Sequence, residues 1–432
     1  MKNYLLILVG AASISSCNSG NTSSDNSMEW LDNAIELSAV QLQEASERYD
    51  STMLFPRSLK TDYSLEQLTA QMEIPVDSFK PEIELLKHPT AEEYRQPYLV
   101  GYADWTSGFF PGSLWYAYEL TGDETLKEAA VRYTNRLVKV ADMTDTHDLG
   151  FMVNCSYGNA YRLAPNDTIR ELVVKTARNL AGRYDQSIGC IRSWDFGPWN
   201  YPVIIDNMMN LDLLFNAAKL TGDSTFAEIA RRHADTTMSN HFRDDFSCYH
   251  VVSYNDDGSR QRRQTFQGKA DESSWSRGQG WALYGYTETY RNTGDKRYLR
   301  HAEKVADMII ARNNTEDGIP YWDLDAPESD STPRDASAAA VIASGMIELS
   351  EISEEGEKYL EYAEKLLKAL ASPEYLAERG SNGGFILRHS TGSLPHGSEI
   401  DTPLNYADYY FLEALVRYKR VKAGKRAVEP MF

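Results

Sequence analysis

The sequence predicts an all-α fold, an (α/α)6 barrel of six inner and six outer helices. Three observations carry that prediction. One helix–turn–helix phrase recurs along the chain, apolar helical segments alternate with amphipathic ones, and the period-two alternation of strands is scarce. The phrase reads YELTGDETLKEAAVRYTNRL from Tyr118, AKLTGDSTFAEIARRHAD from Ala218 and YRNTGDKRYLRHAEKVAD from Tyr290, with weaker copies from Tyr161 and Leu349. The Gly supplies the left-handed residue that ends one helix, and Asp, Ser or Thr caps the next.

Each element follows from this phrase. The segments before the turns are apolar or aromatic nearly all round: Ser113 to Leu120, Gly150 to Leu163, Asn207 to Leu220, Arg277 to Arg291, Ala336 to Ile352 and Tyr406 to Arg420. Such helices are buried, which makes these the inner ring. Helices starting near Glu29, Glu124, Thr168, Ser224, Lys296 and Glu355 keep one polar face and form the outer ring. The repeat is uneven, unlike the strict period of a tetratricopeptide solenoid. The extra length falls in loops before the inner helices.

The composition sets limits on function. With 432 residues, 42% hydrophobic and 25% charged, the chain is an ordinary globular one and not a disordered one. A formal net charge of −19 excludes nucleic acid as a partner, since phosphate needs a basic face. Four Cys exclude a disulfide scaffold.

Residues 1–16, MKNYLLILVGAASISS, have a charged start, a short apolar run and small residues, which is the pattern of a secretory signal. Ile14-Ser15-Ser16-Cys17 resembles a bacterial lipobox, making Cys17 the lipidated residue; simple cleavage nearby with Cys17 incidental is the other reading. Residues 17–28 form a Ser/Asn/Gly-rich tether, and 29–432 a single catalytic barrel. The expected location is that of an exported bacterial lipoprotein, in the periplasm or on the outer-membrane surface, touching membrane only through its anchor. Cys155, Cys190 and Cys248 read as core residues, with one disulfide among them left open.

Six parallel inner helices bring their N-terminal loops to one mouth. These loops read YADWTSGFFPG, DTHDLGFM, RSWDFGPWNYPVIIDNMMN, SSWSRGQGW, STPRDAS and GSEIDTPLNYAD. Each holds an Asp or Arg near a helix start, and six of the eight Trp lie in or beside them: Trp105, Trp115, Trp194, Trp199, Trp275 and Trp281. A single Asp at a helix start is ordinarily a cap, and about half of such Trp belong to a core. Six converging starts rimmed by Trp point instead to a carbohydrate cleft, in which aromatic faces stack on sugar rings and carboxylates move protons.

The motifs WTSGFFPG (Trp105 to Gly112), HDLGF (His147 to Phe151), IIDNMMNLDLLF (Ile204 to Phe215), SWSRGQGWALYGYTETYR (Ser274 to Arg291) and NYADYYFLEAL (Asn405 to Leu415) resemble those of the unsaturated glucuronyl hydrolases, glycoside hydrolase family 88, over roughly residues 29–425. That resemblance implies a six-hairpin-glycosidase fold and removal of the 4,5-unsaturated glucuronate that lyases leave at the non-reducing end of glycosaminoglycan fragments. It implies Asp206 and Asp148 as the catalytic carboxylates. Substrate contacts carry over to Trp105, His147, Trp194, His250, Gln267, Trp275, Arg277 and Trp281. Two plainer readings stand beside these: His147 bonding a backbone group, and Arg277 pairing with Asp271 or Glu272.

The implied chemistry is hydration of a vinyl ether, with Asp206 protonated at rest. Burial and a neighbouring carboxylate are expected to raise its pKa against the opposing pull of a helix N-terminus. The sequence holds no HExxH motif, clustered Cys or phosphate loop, so no metal or cofactor is expected. The expected partners are unsaturated uronate-capped oligosaccharides. An unsaturated galacturonyl or rhamnogalacturonyl hydrolase of pectin breakdown is the enzymatic alternative, and a non-catalytic sugar-binding surface lipoprotein the other. Residues 49–100 form a longer polar stretch than the resemblance accounts for. The loop Gly383 to Thr402, with Arg388, His389, Ser393, His396 and Ser398, reads either as a sulfate-reading loop or as an ordinary polar one.

Overall fold

The computed structural model describes residues 28–60 and 95–429. The signal segment, Cys17, nearly all of the tether and much of the polar stretch at 49–100 lie outside the described residues. Among the described residues no helix is long and apolar enough to cross a membrane.

Among the described residues, twelve α-helical segments alternate along the chain. The outer ring comprises α1 (Glu29–Arg48), α3 (Glu124–Asn135), α5 (Asp167–Ala181), α7 (Ser224–Asn240), α9 (Lys296–Arg312) and α11 (Gly356–Leu370). The inner ring comprises α2 (Phe109–Thr121), α4 (Asn159–Leu163), α6 (Leu211–Thr221), α8 (Ser276–Thr293), α10 (Ala336–Ile352) and α12 (Asn405–Lys422). Each inner segment packs on the next and α12 returns to α2, which closes the barrel.

Burial follows the sequence pattern. Every residue of α10 from Ala336 to Leu349 and of α12 from Asn405 to Tyr418 is buried. Outer α9 buries only Tyr298, His301, Ala302, Val305, Ala306, Met308 and Ile309, a stripe at helical spacing. Small residues let the inner helices approach: a Cβ on Gly345 would lie 3.3 Å from the Tyr284 backbone of α8. The axis beneath the mouth is filled by rings. Phe109 and Phe151 lie 5.4 Å apart, Phe151 and Trp281 5.3 Å, and Trp281 and Tyr410 5.4 Å, centroid to centroid. Below them, Glu413 accepts from Tyr116, Tyr284 and Ser344, and Arg417 pairs with Glu348 and Glu413.

Helix starts differ from expectation in three places. Inner helix α2 begins at Phe109 rather than Ser113, because Pro111 falls in its first turn, where a missing N–H costs nothing. The segment Gly150–Gly158 is π-helical before it becomes α4, and Ile205–Asn210 is a 3-10 turn that leads into α6. Strands also occupy the loops before the inner helices. Strands β1 (Phe55–Leu59) and β2 (Pro97–Val100) pair antiparallel, as do β3 (Tyr184–Asp185) and β4 (Cys190–Ile191). A third sheet runs β5 (Tyr201–Ile204), β6 (Val251–Tyr254) and β7 (Arg260–Gln264). Cys155, Cys190 and Cys248 are buried free thiols.

The recurring turn folds as its residues dictate. Gly122, Gly222 and Gly294 take φ of 72°, 75° and 68°, and Asp123, Asp223 and Asp295 accept from the backbone N–H two residues on. A Cβ at Gly222 would meet nothing within 4 Å, so its φ alone constrains it. Gly222→Ala is therefore expected to cost about 1–2 kcal/mol by urea unfolding, Gly222→Asn clearly less, and neither to alter catalysis.

Candidate active site

The mouth is a cleft walled by the segments that precede five inner helices. Its lining includes Arg57, Trp105, Asp145, Thr146, Asp148, Trp194, Phe196, Asp206, Phe266, Gln267, Arg277, Ser393, Ser398, Glu399 and Tyr406. Of the residues named from sequence, Trp105, Asp148, Trp194, Asp206, Gln267 and Arg277 meet at this surface. His147, His250, Trp275 and Trp281 stand behind it, each almost wholly buried.

Asp148 sits in the loop before the π-helical segment. Its Oδ2 accepts from the Thr146 hydroxyl at 3.0 Å, and that hydroxyl in turn accepts from the Asp148 N–H at 3.1 Å. His147 Nε2 lies 3.3 Å from Asp148 Oδ1. Burial pushes the Asp148 carboxyl above the usual range; nearby His147 opposes this and the Asp206 charge adds to it. The cause expected to act at Asp206, burial beside a second carboxylate, is thus found acting on Asp148.

Asp206 is the second residue of the 3-10 turn that follows β5. The Ser193 hydroxyl accepts from Ile204 N–H, and Ile205 N–H donates to the His250 carbonyl at 3.0 Å, which fixes the end of the strand. Register does the rest, since Ile204 pairs with Val251 and places His250 alongside Asp206. His250 Nδ1 accepts from the backbone N–H groups of Phe266 and Gln267, both at 3.1 Å. The ring proton of neutral His250 is therefore on Nε2, 3.5 Å from Asp206 Oδ2.

Gly150 and Asn210 hold the two acid-bearing segments together. Asn210 Oδ1 accepts from Phe151 N–H at 2.9 Å, and a Cβ on Gly150 would come within 2.5 Å of that oxygen. The glycine is thus required for close approach of the two acid-bearing turns. The π-helical stretch beside it is a rarity that recurs at functional sites.

Arg277 is 1% exposed and pairs with Asp335 at 2.8 Å, not with Asp271 or Glu272. It also donates to the carbonyls of Thr391 and Gly392, and its guanidinium lies 4.5 Å from the Trp275 ring centroid. Gln267 Nε2 donates to the same Gly392 carbonyl at 3.2 Å. Trp275 packs on His250 at 4.6 Å, so it supports the ring that faces Asp206. Trp281 belongs to the aromatic filling of the barrel axis.

The loop singled out at 383–402 divides. Ser393 and Ser398 line the cleft and His396 packs on Phe266 at 4.2 Å, whereas Arg388 and His389 sit in a separate hollow with Asp401. Arg57 and Glu399 were not found by sequence reasoning. Arg57 binds Glu399 through Nε and Nη2, both at 2.7 Å, and Asp104 through Nη1 at 2.8 Å. This ties β1 to the hairpin around residue 395 and to the turn carrying Trp105. Only the unexplained stretch at 49–100, in which Arg57 lies, hinted at it.

Several buried polar atoms at the cleft have no hydrogen-bond partner among the described residues: both ring nitrogens of His147, Asp206 Oδ2, His250 Nε2 and Arg277 Nε. Native interiors satisfy nearly all such groups, so a cluster of exceptions around two carboxylates marks a site built for a ligand.

The model for Glycosyl Hydrolase Family 88 matches residues 85–422. The chain belongs to glycoside hydrolase family 88. Like the other members of family 88 below, it is a glycoside hydrolase. An unsaturated glucuronyl hydrolase of Formosa agariphila is 46% identical over 319 residues, 73% of this chain and 80% of the relative. An unsaturated chondroitin disaccharide hydrolase of Streptococcus pneumoniae is 31% identical, covering 82% of this chain and 91% of the relative. Among solved structures, an unsaturated glucuronyl hydrolase specific for heparin superposes with TM-score 0.83 at 45% identity, over 92% of this chain and 98% of that one. A mutant unsaturated glucuronyl hydrolase of Streptococcus agalactiae complexed with dGlcA-GalNAc6S superposes with TM-score 0.72 at 26% identity, over 93% of each chain.

The buried Asp148 gives a test that separates stability from activity. Its folded pKa is raised, so the stability it contributes is full below the unfolded value of about 3.9 and is lost as pH rises through the folded value. In Asp148→Asn that loss disappears. The variant's urea midpoint is expected to gain on wild type as pH rises above about 4, while its turnover falls by about 10²-fold or more.

Proposed function

We propose that this chain removes the 4,5-unsaturated glucuronate from the non-reducing end of lyase-generated glycosaminoglycan oligosaccharides, heparin-derived fragments foremost. The observation that carries the reading is the unpaired Asp206 Oδ2 facing His250 Nε2–H in a cleft shared with Asp148. Similarity supports the substrate class. The solved unsaturated glucuronyl hydrolase specific for heparin is 45% identical, whereas the chondroitin disaccharide hydrolases lie at 30–32%.

Proton transfer needs a carboxyl oxygen that reaches the cleft; Asp206 Oδ2 is buried against His250 Nε2 at 3.5 Å, which leaves Oδ1 to face the substrate. Protonated Asp206 delivers its proton to C4 of the C4=C5–O5 vinyl ether. The double-bond electrons form the new C4–H bond, and the positive charge is shared by C5 and the ring oxygen. Water adds at C5 and returns a proton to Asp206. The hemiketal then opens and the glycosidic link falls apart without attack at the anomeric carbon. The separation rule for retaining and inverting carboxylate pairs therefore does not apply. Asp148, with its raised pKa, holds a sugar hydroxyl, and Arg277 Nε offers a donor to the substrate's anionic end.

The test uses unsaturated disaccharides from heparin, chondroitin, hyaluronan and pectin lyases, followed by loss of the double bond's ultraviolet absorbance. Turnover is expected with the glycosaminoglycan disaccharides, fastest with heparin-derived ones, and Asp206→Asn is expected to lose about 10²–10⁴-fold. Turnover with the pectin product alone would overturn the substrate class.

We also infer that the protein is exported and anchored through lipidated Cys17, in the periplasm or on the outer-membrane surface. Support comes from the signal-like residues 1–16, the lipobox-like Ile14 to Cys17 and the polar tether after it. Cys17→Ser is expected to move the protein from the membrane fraction to the soluble one; an unchanged distribution would reject the anchor.

A further inference from the structure

The reacting sugar is the non-reducing terminus, and rings fill the axis beneath the cleft, so every other sugar of a longer substrate must leave through the mouth. One wall of that mouth is aromatic. Trp194 and Phe196 stack with centroids 5.0 Å apart and planes 20° from parallel, and Trp194 packs on Phe266 at 5.1 Å and Trp199 at 5.5 Å. Phe196 is 56% exposed, an apolar face held open to solvent by the ring beneath it. Gly197 shapes this wall: it takes φ of 86°, and a Cβ there would lie 2.5 Å from the Trp199 ring.

The wall continues into β7. Trp199 Nε1 donates to Gln264 Oε1 at 2.8 Å. Gln264 pairs with Val251 and Arg262 with Ser253, so their side chains emerge on the same sheet face, about 7 Å apart along the strand. That face carries Val251 and Ile204, which pack with Trp199, Trp194 and Phe266. Arg260 and Arg263 belong to the opposite face, where both reach Asn240 and Arg263 lies over Tyr249. Arg262 is exposed and has no ion pair among the described residues. The carboxylates nearby are engaged: Asp195 pairs with Arg183 and Arg192, and Asp256 accepts from Asn200.

We propose that the cleft extends past the first leaving-group sugar to a further subsite, where a sugar ring stacks on Phe196 and Arg262 binds its sulfate or carboxylate. The inference rests on the substrate class proposed above. A stacked ring and a guanidinium on the same side suit an anionic sugar, because the aromatic face covers its C–H surface and the planar fork matches an oxyanion. In a chain of net charge −19, an unpaired Arg at the mouth also supplies local attraction that the whole protein lacks.

The experiment compares an unsaturated disaccharide with the tetrasaccharide of the same sulfated polymer, at low and high ionic strength. Wild type, Phe196→Ala and Arg262→Ala are each assayed after their folding is checked by circular dichroism. Wild type is expected to show a lower KM for the tetrasaccharide, the advantage shrinking with salt. Each variant is expected to raise the tetrasaccharide KM about two- to fivefold, Phe196→Ala acting more on the tetrasaccharide than on the disaccharide and Arg262→Ala, outside the cleft lining, leaving kcat and the disaccharide KM unchanged. In Arg262→Ala the salt dependence of the length advantage should disappear. Equal KM for both lengths in wild type, or equal effects of the variants on both substrates, would overturn the subsite. Disaccharide turnover reads the substrate class separately: hydrolysis without a length effect rejects the subsite alone, and inactivity on both lengths rejects both.

Discussion

The mouth of the barrel hangs on the buried guanidinium of Arg277. It joins the start of α8 to Asp335 at the start of α10 and to two carbonyls of the segment that leads into α12, while Trp275 covers its face. Asp335 also caps α10 through Ser337 N–H. A buried charge whose partner is removed costs about 3–5 kcal/mol, so this group is satisfied almost wholly by protein before any substrate arrives. Only Nε is left over, and it is this remainder that the site can use. The Arg57–Glu399–Asp104 cluster repeats the arrangement on the same hairpin, where Gly392 N–H donates to the Glu399 carbonyl. Glu399 takes φ of 55°, a conformation that a non-glycine residue keeps only when its surroundings over-determine it.

Beside these fixed clusters lie the unsatisfied groups. The cleft therefore shows a division of labour. Cationic side chains organise backbone around it, and the carboxylates and imidazoles keep atoms in reserve. Burying such atoms costs stability, and the dense aromatic filling beneath them offsets that cost.

What the sequence made legible follows from interaction range. The TGD turns rest on contacts two to four residues apart, so the helix count, the two rings and the shared mouth could all be read directly. Asp148 and Asp206 were legible through the resemblance of HDLGF and IIDNMMNLDLLF to family 88 motifs; position alone left each as one of several Asp at helix starts. The helper interactions were not: Arg57 meets Glu399 across 342 positions, and Gly150 meets Asn210 across about sixty. Nor does residue type separate Trp105, on the cleft surface, from Trp281, in the axis. Both precede or open inner helices, and only the tilt of neighbouring rings decides. The three-stranded sheet was missed because its strands are short and sit inside a long loop, yet its register is what sets His250 against Asp206.

The ring-filled axis makes the barrel a cup rather than a tunnel. A chain can put only its terminal sugar into a cup, and it must back out the way it entered. The terminus it then presents lacks the double bond that the chemistry needs. Each substrate molecule is therefore consumed in one visit, and the enzyme cannot walk along a polymer. Its throughput is tied one-for-one to the number of ends that a lyase has already created.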